Sequence, residues 1–101
     1  MIGSDKQIQW AEAIREKMID RLKKEMSSNT LPPEIPDRNK IFQIICRQHR
    51  QAIFLLEKTD ESAWFIENKD AVHNVKAIYT ALEIEQHDIV EEWRVKQLLE
   101  I

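Results

Sequence analysis

From Asp70 to Ile101 the apolar positions keep a single period through 32 residues that contain neither glycine nor proline. Val72, Val75, Tyr79, Leu82, Gln86, Ile89 and Trp93 fall alternately three and four apart, the spacing of a heptad seam. The pattern predicts one helix about 45 Å long at 1.5 Å per residue. A compact domain of this size has a radius of gyration of only about 13 Å. Such a rod either overhangs its own body or lies on a second copy, and the resulting expectation is a homodimer through Tyr79, Leu82, Gln86, Ile89 and Trp93. Gln86 is the polar member of the seam. In a continuous helix it sets register or partner number. In the alternative the helix breaks near Glu85–Asp88, and Ile89–Ile101 folds back as a separate short helix.

Upstream, Ser4 followed three residues later by Gln7 has the form of a capping box. Ile8, Ala11, Ile14, Met18, Leu22 and Met26 continue at helical spacing to about Met26. Residues 27–36, with two serines and three prolines, form a loop. Asp37 is the expected cap of a second helix through about Lys58. Ile41, Phe42, Ile44, Ile45, Ala52, Ile53, Leu55 and Leu56 spread over roughly 200° of that helix at 100° per residue. An arc this wide predicts a central helix contacted on two sides. Thr59, Asp60 and Glu61 mark the start of a short third helix carrying Trp64 and Ile66 to about Asn68, and Asp70 is the expected cap of the long fourth. The reading is a single all-α domain over residues 1–101, a small four-helix fold with a central second helix and a long C-terminal helix.

A chain of 101 residues with one glycine, three prolines and 33% charged residues fits that class. Net charge is −3, which offers nucleic acid no overall attraction. The halves differ: residues 1–58 carry a net +3 and residues 59–101 a net −6. Cys46 is alone, which excludes a disulfide framework and a cysteine-based zinc site, and its apolar neighbours Ile44 and Ile45 predict a buried thiol. No apolar stretch approaches the roughly 20 residues that span a bilayer, and no hydrophobic leader opens the chain. The expectation is a cytoplasmic protein with no membrane contact.

Gly3-Ser4-Asp5-Lys6-Gln7-Ile8-Gln9-Trp10-Ala11-Glu12-Ala13-Ile14-Arg15 resembles the "GSEKQ…WAE.IR" opening of a family of small proteins found in bacteriophages and other mobile elements, and occasionally as a module of larger proteins. Ala63-Trp64-Phe65-Ile66-Glu67-Asn68-Lys69 resembles that family's second signature, "A.WWIDNR", with Phe65, Glu67 and Lys69 in place of Trp, Asp and Arg. The resemblance implies a bacterial or phage setting. The family has no assigned activity, so no residue role comes with it.

Arg15 falls near the middle of the first helix's apolar arc. A buried unpaired charge is costly, so the guanidinium must reach solvent or meet an acceptor. Glu67 in the second signature is the expected ion-pair partner. Lys40, Arg47 and Arg50, with Gln43, Gln51 and Phe54 on the same side of the second helix, make a basic face around an aromatic. That face reads either as a plain solvated surface or as a nucleic-acid platform. Trp10, Trp64 and Trp93 read as packing anchors, with Trp10 at the edge of its arc. His49 lies within the apolar arc of its helix, as a satisfied core histidine does. Glu83, His87 and Glu91 share a face at i, i+4 and i+8, but metal sites draw ligands from more than one element. The face therefore reads as solvated charge, and no metal or cofactor is expected. With its one glycine at position 3 the chain has no phosphate-binding glycine loop, and no nucleophile motif is present. The expectation is a non-enzymatic, self-associating interaction module of unknown partner. An accessory nucleic-acid-binding protein acting through Lys40, Arg47, Arg50 and Phe54 is the alternative.

Overall fold

Ser4 starts the first helix by the reciprocal bonding its spacing predicts. Gln7 N donates to Ser4 Oγ at 3.3 Å, and Ser4 N donates to Gln7 Oε1 at 3.0 Å. The computed structural model describes residues 1–85 and 89–99, with Ile89 described through its backbone alone. The elements in order are α1 (Asp5–Met26), α2 (Arg38–Lys58), α3 (Ser62–Glu67), a 3-10 segment (Lys69–His73), α4 (Val75–Ala81) and α5 (Ile89–Leu99). The fold is all-α. The described residues hold one isolated parallel bridge, Ile2 to Glu61.

α1 buries Ala11, Ile14, Met18 and Leu22 along one stripe. α2, α3, the 3-10 segment and α4 all pack against it. The wide apolar arc of α2 predicts that helix at the centre, yet α1 is the hub. On α2 only Cys46, His49, Ala52 and Leu56 are fully buried, while Ile41, Phe42, Ile44, Ile45, Ile53 and Leu55 stay half-buried. The core joins the α1 stripe to Ala52, Leu56, Phe65, Ala71, Val75, Ile78 and Tyr79.

The extended N-terminus docks on the α2–α3 junction. Ile2 N donates to Asp60 O at 2.6 Å, and Ser62 donates to Ile2 O from both its N and its Oγ, at 3.0 and 2.7 Å. The Met1 amino group pairs with Asp60 at 3.1 Å. Gly3 sits at φ +146, where a Cβ would run into Ser62 Oγ, so the close approach requires glycine. Asp37 does stand at the start of α2, but in the left-handed region at φ 54 and without a side-chain cap bond. The loop before it is held by Arg38, which donates from Nε to Leu31 O at 2.9 Å and from Nη2 to Asn29 O at 2.6 Å.

The long C-terminal helix is not continuous. Asp70 lies inside the 3-10 segment, and Asn74, in extended backbone, caps α4 by accepting from Lys76 N and Ala77 N at 2.8 and 3.4 Å. α4 then stops in a Schellman motif: Glu83 N donates to Thr80 O and Ile84 N to Tyr79 O, each at 3.1 Å. Glu83 occupies the left-handed position at φ 58, and Ile84 packs against the core. The break thus falls just before the Glu85–Asp88 position of the alternative reading. The molecule measures 56 × 24 × 17 Å with a radius of gyration of 16.0 Å. Its long axis exceeds the ~33 Å of α1, and α5 has no substantial contact with another helix. α5 therefore stands off the body as an arm instead of folding back on it.

A left-handed residue other than glycine costs roughly 1–2 kcal/mol. Glu83→Gly, relieved of that strain, is expected to stabilise the protein by about 1 kcal/mol, a rise of ~4–8 °C in melting temperature. Thermal unfolding followed by circular dichroism measures it.

Candidate functional site

Arg15 does not meet Glu67. Its Nη2 donates to Thr59 O at 3.0 Å, its guanidinium lies 5.2 Å from the centroid of the Phe65 ring, and its Nε is buried without a partner. Thr59 is the C-cap of α2, where orphan carbonyls gather partial negative charge. Arg15 can use that acceptor without desolvating a carboxylate. Glu67 sits two residues beyond Phe65 on α3, turned away from the buried face and exposed. The two stretches that carry the family resemblance are nonetheless joined in space. Arg15 covers Phe65, Lys69 Nζ lies 5.6 Å from the Trp10 ring, and Gly3 abuts Ser62. Trp10 is half exposed at this seam, and Trp64 meets Phe65 edge to face at 5.0 Å.

The second polar assembly runs from the buried core to the surface at Glu25. His49, 1% exposed, bonds through Nδ1 to Tyr79 Oη at 2.6 Å and through Nε2 to Glu25 Oε2 at 2.9 Å. Nε2–H donates to the Glu25 carboxylate, and Nδ1 shares a hydrogen bond with the Tyr79 hydroxyl. Glu25, His49 and Tyr79 come from α1, α2 and α4, so one side-chain chain fixes three helices. The order of groups is that of a nucleophile relay. However, the Tyr79 hydroxyl lies in the core, 2% exposed, where no substrate reaches it. The trio is a structural staple. Nothing in the sequence marks Glu25, which stands in the exposed last turn of α1.

Tyr79 is thereby removed from the expected dimer seam, and Leu82 packs against the same core. Both belong to α4 and its cap, whose apolar stripe faces its own body. Gln86 and the Ile89 side chain lie outside the described residues, as does His87 of the Glu83–His87–Glu91 face. Trp93 remains, half-buried on α5. On the same helix Val95, Leu98 and Leu99 are exposed by 44, 71 and 82%. The mixed distribution of their neighbours hides this surface from a search for heptads.

The basic face of α2 is present as expected. Lys40, Arg47 and Arg50 are exposed and Phe54 is 55% exposed. The sequence reading missed Lys58, although it lies one helical turn beyond Phe54. Its Nζ is 5.4 Å from the Phe54 ring centroid. An open groove of about 760 Å³ between α3 and α4 is lined by Trp64, Glu67, Asp70, Asn74, Lys76 and Glu83 among others. It gathers carboxylates without a nucleophile beside a base. No helix among the described residues is long and apolar enough to cross a membrane. The chain matches no family model, no curated protein and no solved structure.

Burial, and secondarily the Glu25 carboxylate, raise the Tyr79 phenol above its ordinary range. A proton held more tightly in the folded state adds stability below the ordinary tyrosine pKa of about 10, and that contribution is lost as pH rises beyond it. Tyr79 is the one tyrosine. Phenolate absorbance should therefore stay flat in the native protein through pH 10 and appear only on unfolding. Tyr79→Phe should lose about 1–3 kcal/mol near neutral pH, because the buried Nδ1 is left without its hydrogen-bond partner. The variant should also abolish the alkaline decline, as measured by denaturant titration at several pH values.

Proposed function

We propose that this chain is a small non-enzymatic interaction module that self-associates through α5. The observation that carries the reading is the outward display of Val95, Leu98 and Leu99 on a helix standing off its body. Isolated helices shorter than about 12–15 residues are marginal in water. An 11-residue arm with exposed leucines needs a surface to pack on. Fully burying a leucine or valine side chain is worth roughly 1.5–3 kcal/mol.

A second copy is the occupant. α5 has Glu91 and Glu92 in its first turn and Lys96 in its last. A two-fold pair sets the same patch of both copies against itself, so Val95, Leu98 and Leu99 supply both sides of the contact. The proposed interface is therefore Val95, Leu98 and Leu99, on the side of α5 opposite Trp93, in place of the expected seam of Tyr79, Leu82, Gln86, Ile89 and Trp93. The resemblance of residues 3–15 and 63–69 to phage and mobile-element proteins supports a bacterial or phage setting.

Two helices about 16 Å long bury less than the roughly 1,200 Å² typical of stable interfaces. The dimer is accordingly expected to be concentration-dependent. Light scattering across a dilution series should show a monomer–dimer transition. Leu98→Asp or Leu99→Asp should leave a monomer with the α1–α4 body still folded. A wild type that stays monomeric up to its solubility limit overturns the reading.

A further inference from the structure

We propose that the outer face of α2 is a binding site for single-stranded nucleic acid, independent of the α5 contact. Cys46, His49, Ala52 and Leu56 turn one side of α2 to the core. Lys40, Gln43, Arg47, Gln51, Phe54 and Lys58 recur at three- and four-residue intervals on the opposite side, with Arg50 at its border, and all are exposed. The stripe runs ~27 Å along the helix. Glu57, at the edge of the stripe, is the only carboxylate on α2. Arg38 is engaged by loop carbonyls, which leaves Lys40, Arg47, Arg50 and Lys58 as the outward cations.

The ligand class follows from Phe54. A phenyl ring at 55% exposure within a row of cations is the chemistry that stacks a base while its neighbours hold phosphates. Lys58 Nζ lies 5.4 Å from the ring centroid, and the side chain still stays more than half exposed to a base. A duplex keeps its bases stacked away from such a ring, so the ring selects single strands. An anionic membrane surface would call for a row of apolar side chains on this face, and the stripe offers Phe54 alone.

The test is fluorescence anisotropy of the full chain with a labelled oligothymidylate of about 12 nucleotides, long enough to run the stripe at ~3.4 Å per stacked base. Four phosphate contacts predict that log K falls against log salt with a slope of about −3, from 0.7 per contact. Arg47→Glu with Arg50→Glu should weaken binding at least about tenfold and halve the slope. Phe54→Ala should weaken binding about fivefold or more with the slope unchanged. Circular dichroism should show native helix content in all variants, since every substituted residue is exposed. Absence of salt-dependent binding, preference for the duplex, equal competition by polyglutamate, or a Phe54→Ala variant that binds as wild type would each overturn the proposal.

Discussion

The apolar stripe of α1 is the constraint on which the rest of the molecule depends. Ala11, Ile14, Met18 and Leu22 are all but removed from water, and every element from α2 to α4 reaches the core by lying on that stripe. With a single small core, the domain has no second hydrophobic surface to hold α3 or the 3-10 segment if this one fails. Small residues such as Ala11, Ala52 and Ala71 at the contacts let short elements approach closely. The capping box at Ser4 and the docking of Ile2 on the α2–α3 junction set where the stripe begins.

Polar groups then fix the pose that apolar packing leaves adjustable. Arg15 ties α1 to the carbonyl end of α2 and to the Phe65 face, and His49 ties together α1, α2 and α4. Neither is a source of large net stability, since buried polar groups mostly recover what their desolvation costs. Their effect is directional, because a helix rotated or slid by a few ångströms would strand a buried nitrogen or hydroxyl. The same logic explains why a Tyr–His–Glu series at hydrogen-bonding distance can be architecture without being catalysis: access, and not bonding order, separates the two.

The two outward surfaces differ in chemistry and in origin. α2 is shared between core and solvent, so its cations and Phe54 are held on a rigid support. α5 has little support of its own and displays leucines. On the proposed readings each α2 face binds on its own, and a pair of arms adds only avidity, by raising the effective concentration of the second face on a common strand. The acidic charge of the C-terminal half, remote in sequence from the basic α2, limits its attraction for the same ligand.

Local chemistry made much of this legible. The Ser4–Gln7 cap, the span of the first two helices, the buried Cys46, the core His49 and the exposed basic face of α2 follow from spacing and residue type, which act over a few positions. The partner of Arg15, the role of Glu25 and the fate of residues 70–101 do not. A stripe at Val75 and Tyr79 has the same period whether it faces a second copy or its own body. Only the presence of α1 beside it decides that α4 is spent on the core. A break near Glu85–Asp88 was legible as an alternative, but its place at Glu83 was not, because a left-handed glutamate is unfavourable in isolation and Ile84 packs into the core beside it. The sequence by itself determined the first two helices and which of their faces are apolar or charged. The tertiary structure alone decided which apolar faces are used up within the chain, because burial is a property of neighbours that lie far apart along it.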